Sequence, residues 1–568
     1  MTGIISILLS QLLLCSAGAL GCAFGKGKFE EYLPYSFAGV VLVELVFGIF
    51  GLLEIGFFAA LLLCAAGLSA ALFQTMKQKR FHDFAMRFFD GYFFCFLGLG
   101  ILLAAVNYGK RMASWDEFSH WGDVVKVMTS QNILSTDPTS RSLYPEYPPA
   151  MALIQYFVQK VFFLLSGKKE MEEWLLYVTW QLFLFSLLFP FFRKKRLIQL
   201  STWVMFAALF LLPTVFQEAV YAKIYIDAIL SMLFGMSAAY LLSESGKENT
   251  ALVCSLLFLL TLSKMLGFVF ALAVVITAYL EQRKGRALLL LSVLLPGLIW
   301  GLNATVSGAW SGFSGQKMGT AASGMDAAWH WGILRDYFRA LLTRPVTFSE
   351  AIAPGLSALL LSAALLAGLW AVLRKEHRRT WFGLFGFHLL FLLGLGVAFA
   401  WLYPAVEAEQ LLGMERYLNN LLMAETLLLT ILLYQKGTLL LSCVSLALIL
   451  LFTPLRTTVR FLTRREVVYS QTLRAPSDVL KQEIFAAMEG KTGRILLIPN
   501  GDPDKDAFES MILRTDLRPN TVESGVPEDR SLTDAYDYAV FLHPDEEGRQ
   551  IMTAEEFFGI LKENEKGN

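Results

Sequence analysis

The chain has 568 residues, of which 55% are hydrophobic and 17% are charged, and its mean hydropathy is +0.53. These values exclude an ordinary soluble globular protein and predict a polytopic membrane protein. Lysine and arginine together number 48, as do aspartate and glutamate, so the formal net charge is zero and nothing suggests a nucleic-acid partner.

About fourteen hydrophobic runs of membrane-spanning length follow one another along the chain. They predict an all-α membrane protein with about 12–14 transmembrane helices. The first run has no charged segment before it and no small-residue cleavage pattern, which indicates a retained helix and not a cleaved signal peptide. The runs lie near 3–24, 36–53, 55–75, 86–106, 172–192, 197–213, 226–242, 250–263, 266–280, 287–303, 352–373, 381–402, 417–434 and 437–453.

Basic clusters between the runs indicate which loops face the cytoplasm, because lysine and arginine are enriched in cytoplasmic loops. All the clusters fall on the same side of the alternating count of spans. The loops on the other side are therefore predicted to face outward: 107–171, 214–225, 304–351 and 403–416. The basic clusters are Lys77–Arg80, Arg193–Arg196, Gln282–Arg286 and Arg374–Arg379.

The segment Ser114–Asp123 places three carboxylates and a histidine directly after an apolar run. Read as a helix, Asp116, His120 and Asp123 share one face. This pattern predicts a helix that lies on the bilayer and points acid–base groups into a cavity. The alternative is a juxtamembrane helix whose charges only face water. The predicted apolar stripe of this helix is Phe118, Trp121, Val125 and Met128.

Further polar groups stand at the predicted outer ends of later spans. Asp227 begins one apolar run, Lys264 separates two others, and Glu415-Arg416-Tyr417 precedes a late one. Each has a structural alternative: Asp227 as a helix cap, Lys264 as a snorkelling side chain, and Glu415 as a partner of Arg416 or of a headgroup. Their common outer placement favours one shared site.

The composition changes after the last hydrophobic run. From about Arg464 the chain is charged, with strand-like runs at Arg494–Gly501 and Tyr538–Leu542 and a helical stretch between them at Ala507–Arg514. Residues 456–568 therefore predict a small soluble α/β domain. The count of spans places this domain outside, whereas the arginines that follow the last span argue for the cytoplasmic side. These arginines are Arg456, Arg460, Arg464 and Arg465.

The first outer loop carries Asp116-Glu117 directly after a span, then the amphipathic helix through Met128, then Tyr144–Pro149 leading into a second helical stretch at Ala150–Gly167. In this order of motifs the chain resembles the GT-C polytopic glycosyltransferases. The most similar family includes protein O-mannosyltransferases and the lipid A aminoarabinose transferase (glycosyltransferase family 39). Asp227, Lys264 and the Glu415–Tyr417 segment also resemble family features, so the resemblance covers about 86–435.

The resemblance implies a GT-C-like catalytic core at 81–455, preceded by extra transmembrane helices at 1–80. It implies a multi-pass protein of a prokaryotic cell membrane with its active site on the outer face. The implied reaction is an inverting transfer of a sugar from a polyprenyl-phosphate donor in the lipid bilayer to a glycan, lipid or protein acceptor.

In such a reaction a carboxylate takes the acceptor proton while cations stabilise the departing phosphate. Asp116 is the predicted base, with Glu117 and His120 as further catalytic candidates, and Lys264 and Arg416 are the predicted phosphate partners. The supporting residues are Asp123, Tyr147, Asp227, Glu415 and Tyr417. Some GT-C enzymes use a divalent cation, Mg²⁺ or Mn²⁺, for which Asp116, Glu117 and Asp227 are the candidate ligands.

Two other functions remain open from the sequence. A transporter or a flippase for lipid-linked glycans would use charged residues within its helices to line a path. A surface-glycan polymerase or ligase would use a diphosphate-linked donor and needs more basic residues around it. The charged or titratable residues that fit a transport path are Glu44, Asp90, Glu218, Lys223, Asp227, Lys264, His388 and Glu425.

Overall fold

The computed structural model describes residues 2–25, 27–192, 199–242, 250–311, 325–348, 355–435, 439–489, 491–525, 535–544 and 550–558. Within these ranges apolar α-helices dominate, and a small α/β domain follows the last of them. The predicted fold class is confirmed. It is an all-α, membrane-type helical bundle with a C-terminal α/β domain.

Every predicted hydrophobic run corresponds to a helix or a bent helix pair, described in whole or in part. In the first half of the chain these are Thr2–Leu14 with Ser16–Phe24, Leu33–Ile49, Leu53–Lys77, Phe81–Phe88 with Gly91–Asn107, Glu173–Ser186, Leu200–Phe216 and Asp227–Leu242. In the second half they are Thr250–Thr261, Met265–Leu280, Arg286–Val306, Ala358–Leu373, Arg378–Trp401, Met414–Gln435 and Leu439–Phe452.

These helices differ in length. Among the described residues, six helices are long and apolar enough to cross a membrane, and two bent pairs raise the number to eight. The other apolar helices have 10–17 residues. Three of the short ones, Asp227–Leu242, Thr250–Thr261 and Met265–Leu280, begin or end where Asp227 and Lys264 lie. Asp227 is the first residue of one helix, and Lys264 lies at the break between the other two.

The predicted outer loops meet at one end of the bundle, which we call the site end. The backbone N–H of Ile224 donates to Glu117 (3.2 Å), which joins the second of these loops to the first. The Arg344 guanidinium lies 3.4 Å from Glu415, which joins the third loop to the fourth. The sequence therefore predicted correctly which loops lie together.

The described basic clusters lie at the opposite end of the bundle. His377 contacts Glu281 there (Nδ1 to Oε2, 2.8 Å), which brings together the clusters that follow residues 281 and 373. Arg87 donates to the carbonyl of Gly25 (2.9 Å) in the turn after the first helix pair. The predicted cluster Arg193–Arg196 lies outside the described residues.

Four shorter helices cover the site end. The predicted juxtamembrane helix is present as Gly122–Gln131, but a π-helical turn at Glu117–Trp121 precedes it. A π turn has more residues than an α turn, so it rotates the side chains before it relative to those after it. Asp116, His120 and Asp123 therefore do not share the predicted face. The other three helices are Ala150–Ser166, Ala327–Thr343 and Ala405–Gln410.

The C-terminal domain contains a sheet of four strands: β1 (Arg494–Ile498), β2 (Thr521–Ser524), β3 (Tyr538–Phe541) and β4 (Ile551–Thr553). Their order in the sheet is β2-β1-β3-β4. Strands β1 and β2 and strands β1 and β3 are parallel, and β4 is antiparallel to β3. Two of these strands and the helix after β1 match the predicted elements, whereas the short β2 and β4 were not predicted. The helices of this part of the chain are Leu455–Leu462, Arg465–Ala487 and Pro503–Asp516.

This domain docks on the first outer loop. Arg518 holds Asp123 with two hydrogen bonds of 2.8 Å each, and the Thr515 hydroxyl donates to the carbonyl of Phe118 (3.1 Å). Arg474, which is fully buried, bonds both Glu173 and Asp516. The domain therefore lies at the site end, on the same side of the bundle as the first outer loop.

Candidate active site

Four charged side chains alternate in sign at the site end. The Arg416 Nη1 donates to Asp116 Oδ2 at 2.6 Å, and its Nε lies 4.0 Å from Asp227 Oδ2. The other oxygen of Asp227 accepts from Lys264 Nζ at 2.9 Å. The order Asp116, Arg416, Asp227, Lys264 thus forms one continuous cluster, which we call the charged row.

Local structure explains why these residues meet. Asp227 is the first residue of its helix, and Lys264 immediately precedes Met265–Leu280 in a tight turn. The turn is fixed to the first outer loop because the N–H of Ala150 donates to the carbonyl of Leu262 (2.8 Å). All members of the row therefore lie at helix ends on one side of the bundle.

The charged row has a buried half and an accessible half. The side chains of Asp227 and Lys264 are 1% and 8% exposed, whereas those of Asp116 and Arg416 are 31% and 35% exposed. Within the described residues, Asp227 Oδ2 and Arg416 Nε form no hydrogen bond. The row therefore has unused hydrogen-bonding capacity next to its accessible half.

Aromatic rings line the row. The Lys264 Nζ lies 5.5 Å from the ring centre of Tyr417 and 6.0 Å from that of Trp121, within the range of cation–π attraction. Tyr147 packs on Trp121 with ring centres 5.8 Å apart, and Tyr403 packs on Tyr417 at 6.2 Å. These four rings are partly exposed and present a hydrophobic wall beside the two cations.

Glu117 lies behind this site and not in it. Its carboxylate accepts hydrogen bonds from the Tyr177 hydroxyl (2.7 Å) and from the backbone N–H groups of Ala113, Ser114 and Ile224. Burial raises the pKa of Glu117, while the charge of Lys110 and these donors oppose the shift. This geometry suits a residue that holds the loop beside Asp116, so we assign Glu117 a positioning role in place of the predicted catalytic one.

His120 is also buried. Its ring packs against Trp121 and Tyr147, with centres 4.4 and 4.6 Å away, and its Nδ1 has no hydrogen-bond partner among the described residues. Burial, assisted by the charge of Lys264, lowers the pKa of His120 to about 3. The imidazole is therefore neutral near pH 7 and supports the aromatic wall from behind, which differs from the predicted role as a proton acceptor.

We expect His120 to make the protein less stable in mild acid. Its folded-state pKa lies below its ordinary value of 6.5, so its contribution to stability is complete above pH 6.5 and decreases as the pH falls towards 3. At pH 5 the loss amounts to about 2 kcal/mol. Thermal unfolding of the detergent-solubilised protein at pH 7 and pH 5 measures this loss of stability. His120→Phe should reduce the difference between the two pH values, and an unchanged difference would contradict the assignment.

Two of the predicted supporting residues have partners outside the charged row. Asp123 is completely buried and faces Arg518 and Arg514 of the C-terminal domain, so its predicted place in the site is wrong. The π turn before it and a partner distant in the chain explain the difference. Glu415 pairs with Arg344 and not with Arg416. Tyr147, Asp227 and Tyr417 do lie in the site.

The predicted cation ligands do not form a metal site in the described residues. Asp116 is bonded to Arg416, Glu117 to its four donors and Asp227 to Lys264 and Asn420. Nor do the described residues contain any group of three or more histidine, cysteine, aspartate or glutamate side chains placed to hold a metal ion. The donor set does not fit Mg²⁺ or Mn²⁺, which prefer several free oxygen ligands.

Two residues that were not predicted from the sequence also contact the row. Asn420 donates to Asp227 Oδ1 (3.0 Å), and the Tyr225 hydroxyl lies 3.4 Å from the backbone nitrogen of Asp116. Asn420 follows Arg416 by four residues and so lies on the same face of its helix. This spacing of two polar residues in an apolar helix was a signal that could have identified Asn420.

No protein-family model matches the chain, and no curated protein matches it. A similar solved structure is the crystal structure of ArnT from Cupriavidus metallidurans bound to undecaprenyl phosphate, with 12% sequence identity. The alignment has a TM-score of 0.43 and covers 77% of this chain and 86% of that chain. ArnT is an aminoarabinose transferase, as in the family that the sequence motifs resemble.

Proposed function

We propose that the protein is an integral membrane glycosyltransferase that moves a sugar from a polyprenyl-phosphate donor to an acceptor hydroxyl at the outer face of the cell membrane. The observation that carries this proposal is the charged row. Two cations, Lys264 and Arg416, lie at the rim of an apolar helix bundle beside a partly exposed carboxylate, Asp116, and a wall of aromatic rings.

The two cations suit the phosphate of a lipid-linked donor. Arginine binds oxyanions through two N–H groups, and lysine acts as a compact point charge. The Arg416 side chain is 35% exposed, so its guanidinium can contact a phosphate, and its buried Nε has no hydrogen-bond partner among the described residues. A polyprenyl chain is soluble only in the bilayer, which explains why such a site would lie where helices end at the membrane surface.

Asp116 suits the role of general base. It takes the proton of the acceptor hydroxyl as the hydroxyl oxygen bonds to the anomeric carbon of the sugar. The bond from that carbon to the phosphate oxygen breaks, and the released polyprenyl phosphate keeps the bonding electrons. Lys264 and Arg416 stabilise the charge that develops on this phosphate. A single displacement of this kind inverts the anomeric configuration.

Removing either cation should impair use of the donor. We expect Lys264→Met and Arg416→Met each to lower kcat/KM for the polyprenyl-phosphate sugar by about tenfold to hundredfold, since a hydrogen bond to a charged group contributes about 1.5–3 kcal/mol. The matched control is Arg344→Met, which removes an arginine at the same end that pairs with Glu415 instead. Unchanged donor kinetics in both site variants would assign Lys264 and Arg416 to structural roles.

The reaction itself is tested with the purified protein and a panel of radiolabelled polyprenyl-phosphate sugars. Consumption of one donor, by transfer or by slow hydrolysis, is the expected result. The same donors in sealed vesicles test the transporter alternative, because a flippase moves the intact label across the bilayer. Three of the residues considered for a transport path are engaged in local contacts. Asp90 caps its own helix at the opposite end, and His388 and Glu425 bond each other inside the bundle.

The outer placement of the site is tested by labelling in intact cells. In a background without the six native cysteines, Arg141→Cys and Lys505→Cys should react with a membrane-impermeant maleimide, because both positions are exposed at the site end. Lys79→Cys should react only after permeabilisation, since it lies in a basic cluster at the opposite end. The reverse pattern would place the site in the cytoplasm and remove the proposed donor from its compartment.

A further inference from the structure

Two adjoining cavities lie between the C-terminal domain and the first outer loop, beside the contacts through which the domain docks. Their volumes are about 730 and 910 Å³, and Lys126, Lys168 and Lys169 line both. None of the residues of the charged row lines either cavity. We call the two cavities together the lysine crevice, and it is separate from the candidate active site.

Most of the other cations in the crevice are paired. Lys160 contacts Glu54 at 2.7 Å, and Lys481 contacts Glu170 at 2.9 Å. Lys126 differs from them because its ammonium group has no hydrogen bond or ion pair with any described residue. Burial, together with the nearby charge of Lys481, lowers the pKa of Lys126. A bound anion would give the Lys126 ammonium group the hydrogen-bonding partner and countercharge that it lacks.

Apolar residues line the other side of the crevice. Phe58 and Leu164 border the larger cavity and are 42% and 54% exposed. Phe58 follows Glu54 by one turn in Leu53–Lys77, a helix that is long and apolar enough to cross a membrane. The crevice therefore opens at the expected membrane surface, with lysines on the aqueous side and hydrocarbon-like side chains on the bilayer side.

We propose that the lysine crevice binds an anionic phospholipid, with the phosphate at Lys126 and Lys169 and an acyl chain along Phe58 and Leu164. The cationic and apolar sides fit the two parts of such a molecule. Thr492 and Asn520 of the C-terminal domain also line the crevice. The bound lipid thus contacts both the domain and the helical bundle.

The test measures binding to the purified full-length protein in a non-ionic detergent. Short-chain dioctanoyl phosphatidylglycerol should bind at least about tenfold more tightly than dioctanoyl phosphatidylcholine, because the phosphatidylcholine headgroup has no net charge. Glycerol phosphate, which has the anion without acyl chains, should bind more weakly than the lipid. Equal binding of the two lipids would overturn the anion requirement, and equal binding of glycerol phosphate would overturn the lipid assignment in favour of a free-anion site.

Variants locate the site. Lys126→Met should weaken binding of the anionic lipid by about tenfold, while Lys126→Arg, which keeps the charge, should retain it. The control is Lys505→Met, an exposed lysine of the C-terminal domain outside the crevice. Thermal unfolding without lipid checks that each variant is folded. Unchanged affinity in a folded Lys126→Met protein would overturn the proposal, and this outcome is independent of any transferase activity.

Discussion

Asp116→Asn should lower turnover by about a hundredfold to ten-thousandfold and leave the protein folded. Asparagine has nearly the same volume, and its carbonyl oxygen can still accept the hydrogen bond from Arg416, but it cannot take a proton. The side chain is 31% exposed, so the change leaves no buried charge without a partner. Single-turnover rates at saturating donor, together with the thermal unfolding midpoint, measure the two effects separately.

Two neighbouring variants serve as controls for this result. Glu117→Gln should lower both turnover and the unfolding temperature, because the buried carboxylate holds four donors in place. His120→Gln should retain turnover near pH 7, since His120 is buried behind the aromatic wall. An active Asp116→Asn protein beside an inactive, folded His120→Gln protein would transfer the role of base to His120.

Arg474→Met should destabilise the protein by about 3–5 kcal/mol, the usual effect of removing one partner from a buried ion pair. Arg474 is fully buried, bonds Asp516, and lies 3.3 Å from both Glu173 Oε2 and the carbonyl oxygen of Met112. Asp516 loses its nearest cation in the variant. Burial raises the pKa of this carboxyl group, and its environment becomes still less favourable without the arginine.

The change is measured as the shift of the thermal unfolding midpoint and as the rate at which a protease releases the C-terminal domain. The matched control is Arg141→Met, because Arg141 forms an exposed ion pair with Glu523 at 3.8 Å, a type of contact that contributes about 1 kcal/mol or less. If the two variants unfold at the same temperature, Arg474 does not anchor the domain.

Hydropathy predicted the helical bundle well because the signal for each span is local and needs no distant partner. The order of the spans also predicted that Asp227, Lys264 and Arg416 lie at one end of the bundle, where the structure brings them into one cluster. Sequence reasoning could assign the loops to one side because each loop joins helices whose directions alternate.

The side-chain partners within the first outer loop could not be predicted in this way. Asp123 pairs with Arg518, which is 395 residues away, and no local pattern connects the two. The π turn at Glu117–Trp121 produces no hydrophobic periodicity that can be recognised in the sequence. Reading this segment as an α-helix therefore placed His120 and Asp123 on the wrong face. The errors in the first outer loop therefore come from the π turn and from partners that are distant in the chain.

The docking of the α/β domain on the first outer loop determines how late in synthesis this loop acquires its partners. The loop is translated early, but Arg416 follows Asp116 by 300 residues and Thr515 follows Phe118 by 397. Chains emerge from the ribosome with the N-terminal part first. A chain released at residue 464 would contain every predicted hydrophobic run, yet Asp123 would be without the arginines that neutralise it. Only a chain translated as far as Glu523 contains all the described ion-pair partners of the first outer loop.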